Sequence, residues 1–488
     1  MSHSYDVLVI GTGMGSLSAA CLLAQKGLKI GILEQNYLPG GCTSSYWRRG
    51  YVFESGATTL VGLDKDMPLQ YLLEKIGVQI EPLRLQLPME VRLNDGTLIR
   101  RYEPLEDWIQ EAERVFGKKN QRAFWTFCYR VSRFVWRTSI RQRTFPPTRF
   151  QDLLGNIQNA TLEQLRFAPW ALVSMEKLLK KYDLLDNQRF VDFCNEQLLI
   201  TAQNHIGEVN VLFGATALCY TNYGNYYMPG GLIKLVQPLL DYLQEHGATI
   251  HYRKPVKEIR YENGKYHVPG KRKEVFESDY LISGIPLNNT LDIYSNGYAK
   301  KYERKLMDSP ELNSAFQMGI GFRDFRDYEA IHHQIHLSEP LPETGSASIF
   351  LSLSHRQDEA RTKETGYRVA SISTHVTDPK SRLKDFDKGK AEEAILKVLD
   401  KQGLVRRDTV EYYHSSAPSA WEKWTNRAFG FVGGYPQYMK IKPWQMADAR
   451  LDGKKAYICG DTVYPGQGIP GTVLSGIIAA EKLTRDHL

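Results

Sequence analysis

The chain has 488 residues, 42% of them hydrophobic and 24% charged. That is a globular balance, long enough for one large composite domain or two to three units. Its 62 Lys and Arg against 55 Asp and Glu leave a net charge of +7, too weak to indicate nucleic-acid binding yet compatible with contact to an anionic membrane surface.

No run of roughly 18 uncharged apolar residues occurs, which argues against a spanning helix. The six cysteines (Cys21, Cys42, Cys128, Cys194, Cys219 and Cys459) are scattered, with no C-x-x-C pair. This speaks against a zinc ribbon, a redox dithiol or a disulfide scaffold, and reduced thiols in a cytoplasmic protein are expected. The start, Met1-Ser-His-Ser-Tyr-Asp, has neither the basic nor the apolar region of a signal peptide.

Residues 5–10 (YDVLVI) read as a buried parallel strand. Gly11-Thr-Gly13-Met14-Gly15-Ser16 follows, then a helix with small residues on one side over Leu17–Gln25, then a second strand over 28–33 with Glu34 at its end. A tight turn at Gly11, close approach of a pyrophosphate at Gly13 and a helix N-terminus facing that anion make this a dinucleotide site. Glu34, 23 residues after Gly11, is placed to accept from a ribose diol, and its charge disfavours a 2′-phosphate. Ser16 stands where the motif has its third glycine, and Gly15 comes one place earlier. Gln35 lies beside the ribose acid. In the loop Leu38-Pro39-Gly40-Gly41-Cys42 two adjacent glycines suggest backbone close to a second part of the cofactor, a loop that simple nicotinamide dehydrogenases do not need.

Farther along, Tyr226-Tyr-Met-Pro-Gly-Gly-Leu232 is another Pro-Gly-Gly turn, and Tyr280-Leu-Ile-Ser-Gly-Ile-Pro286 is an apolar run ending in proline. At the end, KAYIC (455–459) reads as a strand running into Gly460-Asp461, and TVYPGQGIPGT leads to a helix over 473–483. Gly466-x-Gly468-x-x-Gly471 fits the dinucleotide expression, but no strand and acid follow before Leu488, so a second dinucleotide site is rejected.

The GTGMGSL turn, the Pro-Gly-Gly loop, GYVFESGA (50–57) and GDTVYPGQGIPGTVLSG (460–476) together resemble the carotenoid desaturase, carotenoid isomerase and retinol saturase family, FAD-dependent members of the amine-oxidase-like superfamily. The resemblance implies an α/β fold, with a discontinuous Rossmann-type FAD-binding domain (1–70, 225–290 and 415–488) and an inserted α+β substrate domain (71–224 and 291–414). It implies that Gly11, Gly13 and Gly15, with Met14 and Ser16, hold the pyrophosphate, and that Glu34 and Gln35 lie at the adenosine ribose. Val256 meets the adenine, Gly40, Gly41 and Cys42 lie along the cofactor, Gly460 and Asp461 lie at the ribityl–phosphate region, and Gly468 and Ile469 lie beside the isoalloxazine. Glu54 stands where the family often has Asp. The implied substrate is a long apolar polyene entering from a membrane, either desaturated or isomerised. A retinol-saturase-like reduction, an amine-oxidase-like reaction and a non-catalytic lipid carrier of the same fold are the alternatives.

The first insert reads as mainly helical, and the second shows strand patterns at 346–353 and 367–373. Arg130, Arg133, Arg137 and Arg141 recur at helical spacing beside Phe127, Val131, Phe134 and Val135, a basic amphipathic stretch suited either to a bilayer surface or to ordinary packing beneath a solvated face. His332, His333 and His336 lack a further ligand, so no metal is expected. Tyr220, Tyr223, Tyr226, Tyr227, Trp421, Trp424 and Phe429 are candidates to line a tunnel or flank the flavin. No Ser/His/Asp or Cys/His constellation emerges, and no catalytic residue is assigned.

Overall fold

The computed structural model describes residues 2–294 and 299–488. Met1 and the stretch 295–298 of the second insert lie outside the described residues.

Two sheets organise the chain. The first has the order Thr249–His251, Ile30–Leu33, Ser2–Ile10, Val275–Ser283, Lys265–Pro269, Arg260–Glu262, with Ala456–Ile458 also pairing with Val275–Ser283. The pairs around Ser2–Ile10 are parallel, Val7 lying opposite both Ile30 and Tyr280. Val7, Leu8, Val9, Ile30, Ile32, Leu281 and Ile282 are fully buried, as befits parallel strands covered on both faces. Helices Met14–Ala24, Ile233–Glu245 and Gly468–His487 share one apolar core over this sheet.

The first and last helices meet through their smallest residues. A Cβ on Gly476 would lie 2.2 Å from the Gly15 carbonyl oxygen. The displaced glycine of the turn is explained by the same crowding. Gly15 lies against Gly460 and Thr472, while Ser16 is tolerated because Gly284 opposite has no side chain. The terminal helix starts at Gly468, five residues before the sequence reading placed it. Gly468 and Pro470 read as breakers, but in a first turn the N–H groups lack intrahelical partners anyway.

The second sheet runs Val410–Ser416, Asn313–Arg323, Tyr367–Thr377, Ser348–Leu353, His332–His336, Met89–Arg92, Leu98–Arg101. Its last two strands come from the first insert, whose remainder is mainly helical (Leu105–Phe116, Gln121–Arg141, Gln188–Ala202 and shorter helices). These strands are four residues each and hold only part of an alternating pattern. The pairing of Met89–Arg92 with His332–His336 is a long-range contact, invisible to local periodicity.

Candidate active site

The helix Met14–Ala24 has Gly13 as N-cap, no side-chain cap and no acid in its first turn. Its leading N–H groups and partial positive charge remain available to an anion. A Cβ built on Gly13 meets no atom within 4 Å, so the turn faces open space. Gly41 abuts the same turn, its Cβ position 3.6 Å from the Gly13 Cα, and Gly40 and Gly41 have φ of 98° and 58°. Only glycine accepts that bend without strain.

Thr12, which the sequence reading passed over, joins these parts. Its backbone N–H and hydroxyl both donate to Glu34 Oε2, at 3.0 and 2.5 Å, and its Oγ1 accepts from the Gly40 N–H at 3.1 Å. Asn36 N–H donates to Glu34 Oε1 at 2.8 Å. The buried carboxylate is thus oriented by three donors. Glu34 N–H also donates to the His251 carbonyl and Lys254 N–H to the Glu34 carbonyl, which places Val256 two residues past a backbone bond to Glu34. Gln35 turns toward the C-terminal segment, its Nε2 3.4 Å from the Trp424 carbonyl.

Asp461 Oδ2 accepts from Arg427 Nη2 at 2.7 Å. Both side chains are 13% exposed, and Arg427 Nη1 is buried without a partner. Burial pushes the Cys42 thiol above its ordinary pKa, Arg427 opposing and Asp461 reinforcing, so Cys42 is a neutral lining residue and not a nucleophile. Gly460 N–H donates to Ser475 Oγ at 2.8 Å, fixing the motif on the terminal helix.

A cavity of about 630 Å³ opens from this point. Cys42, Thr43, Asp461, Gly468 and Ile469 line one part of it; Phe134, Phe145, Leu212, Phe213 and Phe350 line another. Among its polar groups, His375 faces Gln203, with 3.3 Å between the two Nε2 atoms. Burial holds His375 down at about 4, so the neutral imidazole accepts from the amide. Gln203 sits at the C-cap of Gln188–Ala202 with φ of 59°. Its Oε1, together with Gln467 Oε1, Ser44 Oγ and Trp421 Nε1, is buried without a partner.

Residues 17–484 match the family described as flavin containing amine oxidoreductase. The chain belongs to this family. Over 99% of its length it is 23% identical to the chloroplastic prolycopene isomerase of Arabidopsis thaliana, covering 83% of that protein. It is 22% identical, over 100% of its length and 96% of the other, to the 4,4′-diapophytoene desaturase (4,4′-diapolycopene-forming) of a Methylomonas species. An oxidoreductase from Methanosarcina mazei shares the fold, with a TM-score of 0.65, 15% identity, and 99% and 100% of the two chains covered. The protein is a flavin-dependent oxidoreductase homologous to carotenoid desaturases and isomerases, and its cofactor is FAD. The local chemistry fits that group. The Gly13 turn has room, two helix N-termini lack side-chain caps, and unpartnered donors and acceptors border the cavity.

The remaining sequence candidates divide. Tyr220 and Trp421 line the cavity, whereas Tyr223 donates to Ser132 and Tyr227 to Asp358. Tyr226 lies in a short strand, Trp424 packs edge-on against Tyr37, and Phe429 lies under the Lys380 ammonium. Glu54 accepts from Ser45 Oγ and the Leu232 N–H and pairs with Arg361 at 3.0 Å, tying three distant segments. His332, His333 and His336 are buried in a strand of the second sheet. No group of three or more metal-ligating side chains occurs among the described residues. On Gln121–Arg141, Val131 and Phe134 are consumed by the core. Its apolar face is covered by protein, and the helix cannot lay that face on a bilayer.

Proposed function

We propose that the protein acts on a long apolar isoprenoid polyene, a carotenoid or retinoid, as a desaturase or a cis–trans isomerase. The observation that supports this is the continuity of the cavity from Cys42, Asp461 and Ile469 to the aromatic and aliphatic wall at Phe134, Phe213 and Phe350. Such a wall gains from an extended hydrocarbon by removing apolar surface from water. The relatives are named for carotenoid isomerisation and desaturation, which favours the same substrate class.

When bound, FAD supplies hydride or electron exchange at its N5. The chain holds and surrounds it. Gly11, Gly13, Met14, Gly15 and Ser16 cradle the pyrophosphate with the helix N-terminus; Glu34, oriented by Thr12, and Gln35 serve the ribose; and the Val256 backbone serves the adenine. Gly40, Gly41 and Cys42 line the middle of the cofactor. Gly460 and Asp461, with Arg427, hold the ribityl–phosphate region, and Gly468 and Ile469 lie beside the ring. Phe213 and Phe350 exclude water from the reacting carbons. Neutral His375, its Nε2 accepting from Gln203, keeps only its remaining N–H as a donor in a chamber whose lining is mainly apolar.

The test is anaerobic incubation of the FAD-loaded enzyme, oxidised and then reduced, with saturated-bond-rich and cis-configured polyenes. Products lighter by two hydrogens establish desaturation, and products of unchanged mass with shifted absorption establish isomerisation. A gain of two hydrogens establishes the saturase instead. If every polyene is returned unaltered while a small amine is oxidised, the substrate assignment is wrong.

A further inference from the structure

The helix Phe150–Gln158 is inside out. Phe150, Leu153, Leu154 and Ile157 follow the i, i+3, i+4, i+7 stripe that ordinarily faces a core, yet they are exposed at 72, 45, 42 and 61%. The opposite, polar face is what docks on the protein. Asp152, 2% exposed, takes Arg450 Nη1 at 2.6 Å and Nη2 at 3.0 Å. Arg450 in turn holds Asp486, and Asn156 accepts from the Thr144 hydroxyl at 3.0 Å. The next helix, Leu162–Phe167, repeats the inversion, with Leu162 at 85% and Leu165 at 77% exposed, and Leu172 follows at 51%. Isolated exposed apolar residues need no explanation, but a contiguous patch of this kind marks an interaction surface.

Three observations say what covers it. From 130 to 172 the sequence holds seven arginines and two acids. Both acids are already paired, Asp152 with Arg450 and Glu163 with Arg137. Arg141 and Arg166 are exposed and carry no ion pair among the described residues. The patch therefore has a cationic border and no free anion. Second, the apolar cavity reaches the underside of the same segment, where Gln164, Ala168 and Ala171 contribute to its lining. Third, Trp444, 49% exposed, lines that cavity too, an amphipathic ring of the kind that settles at a membrane–water boundary. No helix among the described residues is long and apolar enough to cross a membrane.

We propose that residues 150–172 insert their exposed leucines, Ile157 and Phe150 into the outer part of an anionic bilayer, with Arg141 and Arg166 on the headgroups, and so set the cavity against the lipid phase. Burial of apolar side chains supplies the affinity, and the arginines add a salt-dependent preference for negative lipid. What passes through the opening rests on the polyene reading; the insertion does not.

The experiment is co-sedimentation of the full-length, FAD-loaded protein with vesicles of equimolar phosphatidylcholine and phosphatidylglycerol, no substrate present. The wild-type chain is expected to pellet with them, and the Ile157→Asp/Leu162→Asp/Leu165→Asp variant to lose at least about tenfold in partitioning. That variant alters only exposed positions, and an unchanged flavin spectrum and melting temperature certify its fold. The Arg141→Glu/Arg166→Glu variant is expected to weaken binding to these vesicles and leave the weaker binding to pure phosphatidylcholine vesicles unchanged. Undiminished pelleting of the triple-Asp variant overturns the proposal. So does a wild-type chain that ignores vesicles and self-associates until the same substitutions disperse it, which would show a second copy on the patch. Vesicle binding without polyene turnover would retain the docking surface and discard the substrate.

Discussion

Two helices of similar length show how differently the two sides of this molecule are built. In Met14–Ala24, ten of eleven residues are buried; in Phe150–Gln158, of nine residues, Asp152 alone is. The first is fixed by backbone approach, Gly15 against Gly476 and Gly460, where a single methyl group would collide. The second is tied by charges, Asp152 to Arg450 and Arg450 to Asp486, beside the buried Lys482–Asp448 pair. A site for a polar, charged cofactor needs its backbone donors in fixed positions. A side that receives hydrocarbon can spend its polar groups on its own anchoring and leave apolar surface outward. The two sides should therefore fail in different ways.

The largest effect is expected from Glu34→Arg. It places a cation where a carboxylate, 5% exposed, accepts from Thr12 and Asn36, and the purified variant should carry no flavin absorbance. Retention of a full complement of FAD would remove Glu34 from the cofactor site. Phe213→Arg comes next. A cation in the apolar part of the cavity should leave the flavin in place and lower polyene turnover about 100-fold, equivalent to about 2.7 kcal/mol of barrier. Equal loss of flavin and turnover would mean that the two sides are not separable.

A third effect is graded in pH. His332, His336, His375 and His414 all lie in strands of the second sheet, and burial lowers them from 6.5 to about 3, 4, 4 and 4. Each stays neutral in the fold while the unfolded chain takes up a proton below 6.5. Their contribution is complete above that pH and is lost as pH falls from about 6.5 toward 4. The slope is at most about 1.4 kcal/mol per pH unit for each histidine. Denaturant melts across that window should show stability falling with acidity, and His375→Gln should flatten the slope by one proton's worth. A melting curve indifferent to pH between these limits would contradict the burial of these rings in neutral form.

The sequence by itself determined the α/β fold and the FAD cofactor. Gly11–Ser16, Glu34 and the Pro-Gly-Gly loop carry meaning at short spacing, because a tight turn, a helix N-terminus and a strand end are local geometry dictated by residue type. The cysteines, all six free, and the apolar parallel strands were legible for the same reason. Only the tertiary structure decided the rest. It brought Arg427 to Asp461 across 34 residues, joined Gln203 to His375 across 172, and added Met89–Arg92 to a sheet begun more than two hundred residues later. It also decided which way the amphipathic stretches face. Val131 and Phe134 vanish into the core, while Phe150, Ile157, Leu162 and Leu165 stand outside. A periodic stripe specifies that one face of a helix is apolar. Which way that face turns depends on what the other face can bond, and here the buried Arg450, which holds Asp152 of that helix together with Asp448 and Asp486, made the choice.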